Sequence, residues 1–449
     1  MKGGKRTAFV FFLFFFPFFS LAWGQEPLTL SRSIEIALER SPTLQAAREA
    51  IREAEYRRKA ALSAFFPQVQ TSYAYTRLEE APTFRMPATT INTPLGPMTT
   101  PESEVKVGTR DNYTWTTTVT QPLFTGGALR NSYLLARLGV DVAKWEFERT
   151  KQDLVLKVKE AYWGVLVAER MVEVASRALE SLREHHRVAQ AFYKEGMIPK
   201  NDLLQVEVEL AQREQDLVRA RNGLETARSV FNTLLRRRLD AEVKLAETLR
   251  YEPFRGDLKA CTERALQQRP ELKAARLAVQ MAEKEVKIAA SGLFPQVSLL
   301  FNYERQGDEP SVSGSRYNPD EESWNVMAVV RWKVWDWGQT WWGVKESKAR
   351  VFQAERYLQE AIDGVKLEVK EAYLSLREAE KNIRVAEKVL EQAEENFRIN
   401  EERYKHQVAT STDVLDALTL LVRAQTNYWT ALSEYNIARA RLDRAMGER

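Results

Sequence analysis

The stretch from Tyr404 to Leu421 reads YKHQVATSTDVLDALTLL, and a second stretch, from Tyr193 to Leu210, reads YKEGMIPKNDLLQVEVEL. Both begin with Tyr-Lys, break over a few residues, and continue with an Asp followed by leucines at helical spacing. This order predicts a helix, a tight turn and a returning helix, and the chain contains it twice. The duplication indicates that the chain is built from internal repeats.

Another pair of matching stretches lies earlier in each half of the chain. The segment ALERSPTLQAAR, which begins at Ala37, matches ALQQRPELKAAR, which begins at Ala265. The match continues to two Phe-Pro-Gln-Val motifs, which begin at Phe66 and Phe294. The order of the motifs is the same in both halves, so we expect two copies of one structural plan.

The sequence predicts a signal peptide at residues 1–24, a first repeat at 25–254 and a second repeat at 255–449. The signal peptide is indicated by a basic start, a Phe-rich apolar run and small residues at the cleavage position. Each repeat is expected to contain short helices, a β-hairpin and a long coiled-coil hairpin. The expected bounds of these two hairpins are about 66–124 and 127–238 in the first repeat, and about 294–336 and 338–447 in the second.

Two segments rich in Tyr, Thr, Val and Phe, Val69–Thr76 and Val297–Tyr303, are typical of strands, and an alternating segment follows each of them. A long loop rich in Thr and Pro, Arg77–Asn112, joins the first pair, and a shorter loop, Arg305–Ser323, joins the second. Each hairpin has about the length that tilted membrane strands require. We therefore expect a mixed α+β membrane protein with four strands per chain.

Four strands cannot close a barrel, and an open sheet edge is not tolerated in lipid. Two copies would give eight strands, whose interior is filled by side chains, whereas three copies give twelve strands and room for a pore. The strand number therefore predicts a homotrimer with a 12-stranded barrel.

Apolar residues recur in steps of four and three along both long helical segments. The second half shows this most clearly, with Val365, Val369, Ala372, Leu376, Ala379 and Ile383. A sustained seven-residue repeat predicts a left-handed coiled coil. A continuous helix from Ala128 to Lys194 would be about 100 Å long, which predicts a long α-helical tunnel attached to the barrel.

Composition excludes several classes of function. The formal net charge of +4 at pH 7 falls close to zero without the basic signal peptide, so no nucleic-acid partner is expected. The single cysteine, Cys261, is expected to be a small core residue. His185 and His186 lack a surrounding ligand pattern and are expected at a surface or between helices. We find no nucleophile-base set, phosphate-binding loop or metal motif, so we expect no catalytic residues and no cofactor.

Together these features resemble the TolC-type outer-membrane efflux proteins, or outer membrane factors, across essentially the whole mature chain. The resemblance rests on the two doubled motifs and on glycines at the strand-to-helix junctions, Gly126-Gly127 and Trp337-Gly338. The corner Thr412–Ala417 adds to these. The order and duplication of the motifs make the combination specific, since each motif alone is common.

The resemblance implies a channel in the cell outer membrane with a large periplasmic portion. Such a channel passes substrates from an inner-membrane transporter of the RND or ABC type, through a periplasmic adaptor (membrane fusion) protein, in a tripartite efflux or type I secretion system. Its partners would be two further copies, the adaptor, the transporter and outer-membrane lipid. The alternative is an exported structural coiled-coil protein or adhesin without a pore.

The resemblance also implies roles for the acidic residues at the two corners. Residues matching Asp413 and Asp416 line the periplasmic entrance in this family, and Asp202 occupies the place of Asp413 in the first repeat. Rings of carboxylates favour cations and repel anions. The alternative is that these aspartates have a purely structural role as helix caps, because the spacing Thr410-x-x-Asp413 resembles a capping box. Capping alone is favoured for Asp202, a pore role for Asp416, and both roles for Asp413.

Tyr404 matches a tyrosine that helps to close the family's entrance. Two arginine positions of that closing latch hold Ala409 and Leu432 here, so a different or a weaker latch is expected. The aromatic residues Phe124, Trp335 and Trp337 are expected at the membrane interface. Their neighbours Trp332, Trp341 and Trp342 are expected to pack at the junction of strands and helices.

Overall fold

The computed structural model describes residues 27–319 and 321–448, so the expected signal peptide lies outside the described residues. Its helices are α1 (Leu30–Arg40), α2 (Pro42–Ser63), α3 (Ala128–Lys194), α4 (Lys200–Leu234), α5 (Leu258–Gln268), α6 (Pro270–Ala290), α7 (Gln339–Lys405) and α8 (Ser411–Met446). Its strands are β1 (Gln68–Arg77), β2 (Thr83–Met86), β3 (Thr89–Thr93), β4 (Gly96–Thr100), β5 (Ser103–Lys106), β6 (Asp111–Phe124), β7 (Gln296–Gly307) and β8 (Glu322–Arg331).

The chain divides into two compact units. The first contains the described residues up to Glu39 together with Val158–Tyr251 and Ala386–Ser433. The second contains Arg40–Lys157, Glu252–Val385 and the described residues from Glu434. Each unit combines segments from both halves of the sequence, so the units do not coincide with the expected repeats.

Four long strands in the second unit form an antiparallel sheet with the order β1-β6-β7-β8. Strands β6 and β7 pair across the two halves, for example at Thr117 and Tyr303. The edge strands β1 and β8 are exposed along nearly their whole length. The four predicted strands are therefore present, and their sheet has two open edges.

The long loop of the first hairpin contains additional structure that the sequence analysis did not anticipate. Strand β2 pairs with β5, and β3 pairs with β4, so residues 83–106 form two small two-stranded sheets. Prolines beside these strands, and Pro97 inside β4, concealed the short alternating segments, because proline is rare inside strands. We call residues 78–110 the arm.

The two longest helices, α3 and α7, each run for 67 residues without a break. The predicted seven-residue seam is buried, because Val369 and Leu376 are 0% exposed and Val365 and Ile383 are 5% exposed. None of the helices in the described residues is long and apolar enough to cross a membrane. Cys261 is buried in α5, as predicted.

An ion-pair network ties four helices of the second unit together. Arg269, which precedes α6, pairs with Glu271 at 2.9 Å and with Glu368 of α7. Arg444 of α8 donates to Glu271 at 2.6 Å and to Asp153 of α3 at 2.7 Å. Burial alone would raise the pKa of Glu271, but hydrogen bonds from Arg269 and Arg444 outweigh it and lower the pKa to about 2.

Candidate functional site

The two turns that the repeated motif predicted lie in the first unit, between α3 and α4 and between α7 and α8. In the first turn the N–H of Met197 donates to the carbonyl of Phe192 at 2.8 Å. In the second turn the N–H of Val408 donates to the carbonyl of Arg403, also at 2.8 Å. Both turns therefore end their helix with the same hydrogen bond, typical of a Schellman motif.

The residue with positive φ differs between the two turns. Gly196 adopts a φ of 72°, and its counterpart Gln407 adopts a φ of 60°. A left-handed conformation costs a non-glycine residue roughly 1–2 kcal/mol. The side chain of Gln407 donates a hydrogen bond to the sulfur of Met197 at 3.1 Å, which offsets part of this cost.

This contact also shows that the two turns lie side by side. The hydroxyl of Thr412 donates to Oε1 of Gln205 at 3.4 Å, and His185 Nε2 lies 2.9 Å from the hydroxyl oxygen of Ser411. Beneath the turns, an apolar cluster joins α3, α4 and α8. It consists of Leu182, Ala189, Leu203, Val206, Leu415 and Leu418.

Asp413 forms the predicted capping box with Thr410. Its Oδ2 accepts hydrogen bonds from the backbone N–H of Thr410 at 2.8 Å and from the Thr410 hydroxyl at 2.7 Å. The Thr410 hydroxyl oxygen accepts in turn from the N–H of Asp413 at 3.2 Å. The backbone hydrogen bond, followed by that of the hydroxyl, lowers the pKa of Asp413. Both Asp413 and Asp416 are exposed on the first turns of α8.

Asp202 lies in the first turn of α4, as expected, but the expectation that it caps the helix by a hydrogen bond is wrong. In the described part of the chain its carboxylate makes no hydrogen bond, although its own N–H donates to the carbonyl of Pro199 at 3.2 Å. The physical reason is the residue three places before it. Pro199 stands where the second repeat has Thr410, and proline has neither the N–H nor the hydroxyl that holds Asp413.

Tyr404 is buried in the first unit and is only 4% exposed. Its ring centroid lies 4.6 Å from that of His185 and 5.5 Å from that of Phe192. Burial raises the pKa of Tyr404, and the charge of Asp202 contributes further. Burial, with a smaller contribution from His186, lowers the pKa of His185 to about 4. His185 is therefore a neutral interhelical residue at pH 7, one of the two predicted environments.

The aromatic residues between strand and helix are exposed in this chain. Trp335 and Trp337 are 74% and 86% exposed, and Phe124 at the end of β6 is 47% exposed. Within one chain, Trp332, Trp341 and Trp342 are 49–63% exposed, so their expected packing at the junction of strands and helices stays a prediction for the assembled protein. Trp341 and Trp342 occupy the first turn of α7 and contact each other, while the Trp332 indole N–H donates to the carbonyl of Leu293 at 3.2 Å.

Two adjacent turns thus present three carboxylates, of which Asp413 is fixed by hydrogen bonds and Asp416 is exposed. Fixed carboxylates at the end of paired helices attract cations and repel anions. An open four-stranded sheet joined to long paired helices is the architecture expected of an outer-membrane channel with helical hairpins.

The chain belongs to the outer membrane efflux protein family, whose model matches residues 33–235 and 262–448, one stretch in each half. It is accordingly an outer-membrane protein with two internal repeats. It is 25% identical over 269 residues to the alkaline protease secretion protein AprF of Pseudomonas aeruginosa, an alignment that covers 59% of this chain and 54% of that protein. The chain therefore aligns with only about half the length of AprF.

Two further comparisons extend over more of the chain. The outer membrane protein TolC of Vibrio cholerae is 22% identical over 308 residues, covering 67% of this chain and 69% of that protein. The crystal structure of the Campylobacter jejuni outer membrane channel CmeC superposes with a TM-score of 0.76 at 15% identity, covering 95% of this chain and 90% of that one. The structural likeness shows a shared fold.

Proposed function

We propose that three copies of this chain form an exit duct in the outer membrane. The duct passes substrates from an inner-membrane transporter across the periplasm, in a tripartite efflux or type I secretion system. The observation that carries this proposal is the match of the efflux family model to both halves of the chain. The proposed duct is a passage and has no catalytic activity of its own.

The open sheet supports the trimer. Strands β1 and β8 each have a free edge, and lipid does not tolerate unpaired backbone groups. Pairing β1 of one copy with β8 of the next closes a ring, and three copies supply the twelve strands of a barrel with a pore. The exposed Trp335, Trp337 and Phe124 would contact lipid at its interface with water.

The turns supply the proposed entrance and its partners. Asp413, Asp416 and Asp202 would surround the narrow periplasmic end, where a periplasmic adaptor joins the duct to an RND or ABC transporter. Tyr404 would stabilise the closed entrance. Since its side chain is buried against His185 and Phe192, it would do so by fixing the shape of the turn within its own chain.

The proposal is tested with purified, detergent-extracted protein. Light scattering should give the mass of three chains, and a planar bilayer with a salt gradient should show a small, cation-preferring conductance. Replacing Asp413 and Asp416 by Ala should raise the conductance and reduce the cation preference. Glu39→Ala, an exposed carboxylate change on α1, is the matched control and should leave both unchanged.

Two results would contradict the proposal. A monomer that never conducts after verified insertion would support the exported rod without a pore. A trimer with a large, unselective current in the unmodified protein would retain the duct but exclude a narrow acidic entrance.

A further inference from the structure

The arm presents two small sheets that are each apolar on one side. In the sheet of β2 and β5, Phe84 pairs with Val105, so both side chains point to the same side, together with Met86. In the sheet of β3 and β4, Ile91 pairs with Met98. These residues, with Leu95 at the tip, are 43–101% exposed. These six large apolar side chains of the arm are therefore left uncovered by its own chain.

The opposite side of each small sheet is polar and already paired. Glu104 accepts a hydrogen bond from Thr83 at 2.7 Å and lies 3.6 Å from Arg85. The hydroxyl oxygens of Thr90 and Thr99 lie 3.1 Å apart. The contrast between the two sides indicates a buried and a solvated face. A two-stranded sheet is marginal in water on its own, so the apolar side needs a partner surface.

The chemistry of the arm argues against lipid as that partner. Residues 78–110 contain no Trp or Tyr, the residues that favour a membrane interface. Five prolines in the same segment also hinder pairing along the strand edges, which leaves the side-chain face as the contact surface. A protein surface of apolar character fits these features best.

The place of the arm in the sheet indicates which protein surface this is. The arm leaves the sheet after Arg77, the last residue of the edge strand β1, and returns at Asp111 in β6. In the proposed trimer, β1 is the strand that meets the next copy, so the arm stands where two copies join. We propose that the apolar sides of the arms pack on one another between copies and tie the outer ends of the three chains together.

This inference rests on the proposed trimer, and cysteine pairs test it separately. In a Cys261→Ser background, Met98→Cys is compared with its neighbour Thr99→Cys, which points to the polar side. Under oxidation by copper phenanthroline, Met98→Cys should give covalent dimers on a denaturing gel and Thr99→Cys should not. Ile91→Asp should lower the temperature at which the trimer dissociates in detergent, whereas Thr90→Asp should leave it unchanged.

Equal cross-linking of both cysteines, or none in a verified trimer, would overturn contact between the arms. Loss of maleimide labelling at Met98→Cys on reconstitution into phospholipid vesicles, without cross-linking, would assign the apolar side to lipid and also overturn it. A monomer in light scattering would instead refute the proposed duct, so the two failures can be distinguished.

Discussion

Thr410 and Pro199 occupy equivalent positions before the returning helices, yet they begin these helices differently. Thr410 supplies an N–H and a hydroxyl to Asp413, whereas Pro199 leaves Asp202 without either bond. One substitution between repeats therefore separates two aspartates that the sequence aligns. Asp413 holds a fixed geometry, and Asp202 contributes its charge alone.

Removing the Asp413 carboxylate should loosen the start of α8. We expect amide hydrogen exchange in residues 411–415 to accelerate in Asp413→Ala, because the capping box is lost. The same exchange should be unchanged in Asp416→Ala and in Asp202→Ala within the first turn of α4. Equal acceleration in Asp413→Ala and Asp416→Ala would show that the cap does not hold the helix start.

The same cap should depend on pH. Because the pKa of Asp413 is lowered in the folded chain, the capping hydrogen bonds should weaken as pH falls through that lowered value.

His185 should make the turns less stable in acid. Its pKa is lowered from 6.5 to about 4, so the unfolded chain binds a proton that the folded one excludes. Stability is therefore retained above about pH 6.5 and lost as pH falls towards 4, by at most roughly 3.5 kcal/mol at 1.4 kcal/mol per pKa unit. The groups that face His185 are His186 on its own helix, Tyr404 of α7 and Ser411 of α8.

His185→Gln keeps a polar side chain beside Ser411 but does not titrate. Hydrogen exchange of α3 and α8 near the turns should therefore depend less on pH between 7 and 4 in this variant. His406→Gln, an exposed change at the second turn, should retain the dependence of the unmodified chain. An unchanged pH dependence in His185→Gln would refute the role of His185.

At this scale the sequence predicted contacts within one turn better than contacts between helices. The capping box of Asp413 follows from a local spacing, and it is confirmed. The burial of His185 beside Ser411 depends on which residues of α3 and α8 lie opposite each other. A pattern within one helix does not specify this alignment between helices. The sequence does contain a signal against capping by Asp202, because Pro199 lacks the N–H and the hydroxyl that Thr410 supplies.

Among the elements, the turns depend on the apolar cluster beneath them. Leu203 is 8% exposed in this cluster, whereas its neighbour Leu204 is 46% exposed. Leu203→Ala should destabilise the packing of α4 by about 2–5 kcal/mol, and Leu204→Ala should change it by less than about 0.5 kcal/mol. Hydrogen exchange of α4 measures both. Similar losses of stability in the two variants would refute the assignment of Leu203 to the buried face of α4.

The ion-pair network should be a second source of stability that depends on pH. Arg269→Met removes one of the two arginines that bind Glu271 and the arginine that binds Glu368, which should cost about 1.5–3 kcal/mol in thermal or denaturant unfolding. The contribution of Glu271 is present above its ordinary pKa and is lost as pH falls from about 4.5 towards 2. Arg32→Met, at an exposed pair, is the control and should have no measurable effect. Equal stability of the two variants would refute the network.

Periodicity predicted the long helices and the four long strands because both patterns repeat along the chain. It did not predict the arm, whose strands are too short and too rich in proline. It also missed the network, since Ser41 stands at the position of Arg269 in the first repeat. Only the second repeat has this arginine, so comparing the two repeats did not predict the ion-pair network.

For the whole molecule, we expect that neither half of the sequence folds without the other. Each compact unit contains segments from both halves, and β6 pairs with β7 across them. Separate expression of residues 25–254 and 255–449 should therefore yield no folded trimer from either fragment alone. Co-expression of the two should restore it, as measured by light scattering. A stable trimer of one fragment would show that a single repeat is sufficient for folding.

The hydrogen bonds of Asp413 would couple the width of the proposed duct to its preference for cations. Because Oδ2 is tied to Thr410, the charge cannot swing away from the helix start, and only Oδ1 remains to meet a passing ion. If Asp413 lines the proposed entrance, any widening of that entrance by movement of α8 carries this charge outward with the helix. The diameter of the proposed aperture and its preference for cations should then change together, so a more open state should also discriminate less between ions.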